Sequence, residues 1–314
     1  MPEDRSTVDA VTLLCERGLP HSLCNQPFIS RLVTDGAPAP RCDQHWTTGM
    51  TALAPPTPHG GLPPYLLDMV RRKPPAVAEQ FIVPGSTPVV SFGDPRSATV
   101  ATVGINPSRI EFIDRGVFLT GDQRRLATQE SMGLDGLHQL KVASREQASQ
   151  VVQDCVTYFQ RNPYRWFRPL EALLRRSLRA SYCNGSACHL DLVQWATDPV
   201  WGRIGSRVAR AALLQDGIPH LRHQLSQEHI SLVLLNGRAV LDQMEASGLA
   251  KLEHVGKMAF RPAGNQTDLY EGRHHGVQYL GWSVNLQGTP AANSGWFRER
   301  LAGWISDRAR QAGG

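Results

Sequence analysis

Residues 98–109 read ATVATVGINPSR, and this stretch decides the fold class. Its first six residues mix small, β-branched and apolar side chains, which predicts a β-strand. Gly104 then ends the strand, and Asn106 followed by Pro107 favours a turn. Ligand sites of α/β sheets lie where the strands end. The turn after this strand is therefore expected to line a binding cleft.

Strands and helices are predicted to alternate along the rest of the body. A capping box at Ser144 begins one helix, and Asn293 is expected to cap the last one. Further strands are predicted at 89–92, 189–194, 231–235, 266–273 and 277–286, and helices at 148–159, 166–179 and 238–247. This alternation predicts an α/β fold with a parallel sheet covered by helices on both faces.

The N-terminal region differs from the rest of the chain in its proline content. Nine of the 22 prolines fall between Pro38 and Pro75, which excludes long regular helices or central strands there. Short helices are predicted at 7–17 and 65–72. We therefore divide the chain into a Pro-rich accessory lobe, residues 1–85, and an α/β domain, residues 86–314.

Composition sets outer limits on function. The 314 residues are 41% hydrophobic and 19% charged, as in folded globular proteins, and the net charge of +5 permits a polyanionic partner. No apolar run reaches the roughly 18 residues of a membrane span, and the first residues do not resemble a secretory signal. A cytoplasmic protein without membrane association is expected, with a monomer favoured.

The six cysteines are too few for a disulfide scaffold, and no C-x-x-C pair occurs. A zinc site involving Cys15, Cys24 and Cys42 stays open as an alternative. Reduced thiols, with no metal and no cofactor, are the favoured prediction.

Two more segments place polar residues at strand ends. Asp191 lies within the apolar run of residues 189–194, where a buried carboxylate needs a partner. Asn285 and Gln287 end the last predicted strand, and a Gly/Pro loop follows. Each feature has a structural alternative: an ion pair for Asp191, and an ordinary loop before a capped helix for the other two.

In this order the three segments resemble the uracil-DNA glycosylase superfamily. Residues 104–107 look like the water-activating motif in its asparagine version, and residues 290–296 look like the end of the DNA-intercalation motif. The resemblance covers roughly residues 88–305. It implies a three-layer α/β/α sandwich around a short parallel sheet. It also implies base flipping in double-stranded DNA and hydrolysis of the N-glycosidic bond, which leaves an abasic site.

The resemblance also implies roles for individual residues. Asn106 would position the attacking water, and Asn285 or Gln287 would donate to the departing base, because no histidine lies in residues 283–296. Phe112 would stack on the base, with plain core packing as the alternative. The remaining residues implied are Gly104, Ile105, Pro107 and Ser108 beside the substrate, and Pro290, Asn293 and Ser294 beside the DNA.

Asp191 replaces the base-reading asparagine of the relatives and favours a different base. An ionised carboxylate only accepts hydrogen bonds, so it suits the amino group of cytosine rather than O4 of uracil. The favoured substrate is a hydroxymethylated or glucosylated cytosine of phage DNA, which implies antiviral defence. Two alternatives remain: a repair glycosylase for uracil or other deaminated bases, and a non-catalytic protein that binds or senses DNA.

Arginines are concentrated on one predicted helix. Arg168, Arg175 and Arg179 share a face opposite a leucine stripe, and a basic stripe of this kind can neutralise phosphates. The alternative is a solvated helix face.

Overall fold

The computed structural model describes residues 62–226, 229–261 and 264–312, all of which belong to one compact unit. The α-helices are α1 (Pro64–Val70), α2 (Arg145–Val156), α3 (Arg168–Leu178), α4 (Arg207–Leu225), α5 (Arg238–Ala246) and α6 (Gly295–Ala312). The strands are β1 (Val100–Gly104), β2 (Ile113–Asp114), β3 (Val117–Phe118), β4 (Ala187–Asp191), β5 (Leu232–Asn236), β6 (Glu253–Ala259), β7 (Gln266–His274) and β8 (Val277–Trp282).

A six-stranded sheet forms the centre of the molecule, in the order β4-β1-β5-β8-β7-β6. The first four strands are parallel, whereas β7 and β6 continue the sheet in antiparallel fashion. The sheet is therefore mixed rather than purely parallel as predicted. The difference arises because β7 and β8 form a hairpin through His275 and Gly276, whose φ angles are 49° and 81°.

Alternating side chains of the central strands enter two hydrophobic clusters. Leu232 and Leu234 join the cluster that includes α2, α3 and α6, whereas Val233 and Leu235 join the one that includes α5 and the end of α4. This is the alternation that a strand buried on both faces requires. The protein is thus α/β, with helices flanking the sheet in a manner compatible with three layers.

Helix α1 lies in the part of the chain that the sequence analysis assigned to the accessory lobe. Its residues Leu66, Met69 and Val70 are buried in the same cluster as the sheet. The side chain of Arg72, just after α1, pairs with Asp216 of α4 and donates to Gln194 Oε1 at 2.8 Å. The segment from residue 62 onward thus shares its core with the body. The helix predicted at 7–17 lies outside the described residues.

Several predicted boundaries are corrected by the structure. The segment 89–92 is not a strand: Phe92 forms an isolated bridge with His189. The strands predicted at 189–194 and 277–286 end earlier, at Asp191 and Trp282. Helix α6 begins at Gly295, and the residue that caps it is Ser294, whose hydroxyl accepts from the Phe297 amide at 3.3 Å.

The cysteines also depart from expectation. Cys183 is disulfide-bonded, so the prediction of reduced thiols is wrong at this position. Cys155 and Cys188 are free and buried, and burial raises the pKa of the Cys155 thiol to about 12. Cys15, Cys24 and Cys42 lie outside the described residues.

The capping box of α2 is confirmed. Ser144 accepts from the Gln147 amide at 3.2 Å, and the Gln147 side chain accepts from the Ser144 amide at 2.7 Å. We expect Ser144→Ala to lower the free energy of unfolding by about 1 kcal/mol, because it removes one partner of an otherwise unpaired helix amide. Chemical denaturation measures this change. Ser144→Thr, which keeps the hydroxyl, is the control, and equal stability of the alanine variant and wild type would contradict the expectation.

Candidate functional site

A cavity of about 570 Å³ opens at the carboxyl ends of the parallel strands. It is lined by residues that follow or end β1, β4, β5 and β8, because parallel strands all end at one edge of the sheet. Of the residues singled out from the sequence, the lining includes Gly104, Ile105, Asn106, Pro107, Ser108, Asp191, Asn285 and Gln287. The structure therefore brings the three sequence segments together.

Asn106 follows β1 and is held by its amide nitrogen. Nδ2 donates to the Pro107 carbonyl at 3.0 Å, to the Trp195 carbonyl at 3.4 Å and to Thr197 Oγ1 at 3.0 Å. Backbone carbonyls only accept, so these partners fix which end of the amide faces them. The oxygen Oδ1 is therefore the atom that Asn106 can offer to a ligand in the cavity.

Asn285 is held in the opposite sense. Its Oδ1 accepts from the backbone amides of Gln287 and Gly288, both at 2.9 Å. Backbone amides only donate, so the NH2 group is what Asn285 can offer to a ligand. The absence of a side chain at Gly237 makes room for this loop, because a Cβ there would lie 3.3 Å from Asn285 Cβ.

Gln287 is oriented through Asn236, the last residue of β5. Asn236 Oδ1 accepts from Trp282 Nε1 at 2.8 Å and from the Leu286 amide at 3.0 Å, so its NH2 group is a donor. That group donates to Gln287 Oε1. The Gln287 NH2 group therefore remains as a second donor for a ligand, next to that of Asn285.

Asp191 lies at the end of β4, directly opposite Gly104 in the register of β1. It is 5% exposed, and its Oδ1 lies 3.5 Å from His189 Nε2. A Cβ on Gly104 would lie 2.5 Å from Asp191 Oδ1 and 2.8 Å from His189 Nε2. The glycine of the GINP turn is thus required by the close approach of β1 to this pair.

A second carboxyl group lines the cavity. Glu111 is 2% exposed, and Tyr158 donates to its Oε2 at 2.6 Å. Burial raises the pKa of Glu111 to about 7, against the lowering effects of the Tyr158 hydrogen bond and the Arg125 charge. The negative charge of Asp191 also raises this pKa. Glu111 can therefore act as either hydrogen-bond donor or acceptor near neutral pH.

Phe112 does not line the cavity. It is 1% exposed and packs in the hydrophobic core, which is the alternative that the sequence left open. Other aromatic side chains form the apolar walls of the cavity instead: Phe92, Tyr164, Trp166, Phe167 and Trp201. Of these, Trp166 is 39% exposed, so it also reaches the surface.

Among the remaining predicted residues, Pro290, Ser294 and the three arginines lie outside the cavity lining. Pro290 is exposed, Ser294 caps α6, and Asn293 ends a short 3-10 turn before it. The arginines extend along α3 away from the cavity, since Leu170 near its start lines the cavity whereas Arg175 donates to Ser181 before β4. Arg175 also pairs with Glu171, and Arg179 follows the helix with φ 54°.

Among the cavity residues that sequence reasoning missed, three bear on the chemistry: Asn236, His189 and Glu111. Asn236 ends the apolar run of β5, so the same strand-end rule that located Asn106 could have found it. His189 lies two residues from Asp191 on one strand, hence on the same face. Glu111 carries no comparable pattern, because its burial depends on contacts with Tyr158 that are distant in sequence.

Within the described residues, no group of three or more His, Cys, Asp or Glu side chains is arranged to hold a metal ion. None of the helices that the structure describes combines the length and apolarity of a bilayer span. A scan against protein-family models finds no match to this chain, and a search of curated proteins finds no relative.

Proposed function

We propose that the protein is a DNA glycosylase that hydrolyses the N-glycosidic bond of a flipped-out modified base. The favoured substrate is a hydroxymethylated or glucosylated cytosine of phage DNA. The observation that carries the proposal is the orientation of three amide side chains in one cavity. Asn106 offers an acceptor, whereas Asn285 and Gln287 offer donors.

These groups match the two needs of the reaction. The attacking water needs an acceptor that aligns it with C1′ of the sugar, which is the role of Asn106 Oδ1. As the C1′–N bond breaks, the base leaves with the electron pair and becomes negatively charged. Donors already in place stabilise that charge, and this is the role of the Asn285 and Gln287 amides.

Two features of the cavity favour a modified cytosine. Asp191 is a carboxylate at the cavity wall and suits an exocyclic amino group. The volume of about 570 Å³ lies in the range of pockets for drug-sized ligands, roughly 300–1,000 Å³. A bare pyrimidine would fill a small part of it, so a substituted base is accommodated more fully.

A panel of oligonucleotides tests the proposal. Duplexes and single strands carrying cytosine, hydroxymethylcytosine, glucosylated hydroxymethylcytosine or uracil are incubated with the protein, and alkali then cleaves at abasic sites. Cleavage confined to modified cytosine is the expected result. Cleavage at uracil would instead indicate a repair glycosylase. Binding without cleavage of any substrate would indicate a non-catalytic DNA-binding protein.

The arginines of α3 yield a separate prediction about DNA binding. Arg168 is exposed at the cavity end of the helix, and Arg179 is exposed about 16 Å away at the other end. We expect Arg168→Ala to reduce the steepness of the log–log salt dependence of binding by up to about 0.9, the value for one lost phosphate contact. Arg179→Ala is the matched control and should keep the wild-type slope. A wild-type slope in Arg168→Ala would show that Arg168 makes no phosphate contact and belongs to a solvated helix face.

A further inference from the structure

Three buried polar side chains lie in a row that begins at the cavity wall, where His189 is part of the lining. Thr102 and His189 are direct partners in the register of β1 and β4, and Thr102 Oγ1 lies 2.7 Å from His189 Nδ1. The Tyr182 hydroxyl lies 2.6 Å from the same Thr102 oxygen. All three are at most 6% exposed. We refer to Tyr182, Thr102 and His189 as the buried hydrogen-bond chain.

The groups around each side chain indicate which atom donates in each hydrogen bond of this chain. Burial raises the pKa of the Tyr182 hydroxyl well above its ordinary value, so this group keeps its proton and can donate to Thr102 Oγ1. The threonine hydroxyl carries one hydrogen, which it can donate to His189 Nδ1 at 2.7 Å or to the Cys188 carbonyl at 3.4 Å, and the shorter contact favours His189. A neutral imidazole that accepts at Nδ1 carries its hydrogen at Nε2. That nitrogen is the one that faces Asp191.

The opposite direction of the Thr102–His189 hydrogen bond would leave the buried Asp191 carboxylate without a facing donor. If His189 donated from Nδ1 to Thr102, the lone pair of Nε2 would face the Asp191 carboxylate at 3.5 Å. Among the described residues, His189 is the group within ion-pair distance of that 5%-exposed carboxylate. Of the two neutral tautomers, the Nε2–H form is favoured, because it turns an N–H dipole rather than a lone pair toward the carboxylate.

We propose that the buried hydrogen-bond chain fixes His189 as the Nε2–H tautomer, so that Asp191 presents a hydrogen-bond acceptor to the cavity. Nε2 lies 3.5 Å from Oδ1, longer than an ordinary N–H···O hydrogen bond, so an Nε2–H group would stabilise the carboxylate through its dipole and leave Oδ2 for a ligand. This inference rests on the proposed function where it concerns the substrate: Oδ2 accepts from the exocyclic amino group of a cytosine-type base. His189 is then a positioning residue, and Thr102 and Tyr182 hold it.

Nitrogen-15 NMR of the imidazoles tests the chain without any need for activity. At mildly alkaline pH an ordinary imidazole is neutral, and its two nitrogen shifts reveal the tautomer. The His189 resonances are identified by their loss in His189→Gln. We expect the Nε2–H tautomer.

The variants of Thr102 test the hydrogen bond itself. In Thr102→Val, which has nearly the same shape but no hydroxyl, the chemical shift of Nδ1 should move toward that of an unbonded nitrogen. Thr102→Ser should resemble wild type. An Nδ1–H tautomer, or a Thr102→Val spectrum equal to wild type, would overturn the proposal.

Base selectivity provides the second measurement. The ratio of turnover on modified cytosine to turnover on uracil should fall at least about threefold in Thr102→Val and Tyr182→Phe, and it should be retained in Thr102→Ser. An unchanged ratio in both variants would overturn the assigned link to Asp191. If no oligonucleotide releases a base, the proposed function fails, and the NMR result still decides the chain by itself. Melting temperatures exclude a folding defect.

Discussion

Replacing Asn106 by alanine is expected to reduce base release at least about tenfold while DNA binding stays nearly unchanged. The side chain is fixed by three bonds from its NH2 group, so its oxygen stays in one place while water and sugar approach. Removing the oxygen leaves the water unaligned in the transition state, whereas contacts between the DNA and the rest of the protein persist. A tenfold loss corresponds to about 1.4 kcal/mol of transition-state stabilisation.

The measurement is single-turnover base release on the best substrate of the oligonucleotide panel, together with a binding isotherm for the same DNA. Asn162→Ala is the matched control, because Asn162 also donates from Nδ2 to a backbone carbonyl but does not line the cavity. Unchanged turnover in Asn106→Ala would remove Asn106 from the reaction. A parallel loss of affinity and turnover would indicate a binding role.

The central strands could be predicted from the sequence because parallel strands buried on both faces read as short apolar runs. Residues 231–235 are such a run, and β5 occupies Leu232–Asn236. The same criterion was misleading at residues 89–92. These residues are buried, yet Phe92 pairs with His189 through an isolated bridge beyond the edge strand β4. A buried segment is apolar whether or not it pairs with a neighbouring strand.

Strand β6 was not predicted, for the complementary reason. It lies at the outer edge of the sheet, its residues are exposed or half-buried, and Gly256 interrupts it with a bulge at φ 146°. An edge strand of this kind is specified by pairing with β7 rather than by its own hydrophobic pattern. Pairing of this kind cannot be recognised from the few residues of the strand itself.

That Asn106, Asp191 and Asn285 share one cavity could be predicted, whereas the orientation of their side chains could not. Parallel strands end at one edge of the sheet, which is why Asn106, Asp191 and Asn285 could be grouped from the sequence. The orientation of each amide depends on its backbone partners, and these come from other elements. Phe112 illustrates the same limit, since an aromatic residue near the motif is as suited to the core as to a ligand.

Helical periodicity likewise predicted the face shared by the arginines but not its surroundings. Helix α3 ends at Leu178, so Arg179 follows the last helical turn and does not continue the stripe. Arg175 is neutralised by Glu171 one turn earlier. Spacing establishes which residues share a face, whereas charge pairing and helix length decide whether the face is available to phosphates.

The last expected result concerns Asp191→Asn, which should lose activity on modified cytosine and gain relative activity on uracil. The carboxylate can only accept, so it pairs with the cytosine amino group, whereas an amide can also donate to O4 of uracil. A well-placed hydrogen bond to a base edge contributes about 1–3 kcal/mol of discrimination, so the ratio of the two rates should change by about five- to 150-fold. Paired single-turnover rates on the two oligonucleotides measure this ratio.

Asp191→Glu keeps the charge and serves as the control for acceptor chemistry, with melting temperatures recorded for each variant. Wild type that excises uracil as well as any cytosine derivative would contradict the assignment. A variant that merely unfolds would show that the Asp191–His189 pair serves the fold, because both side chains are buried and lie 3.5 Å apart.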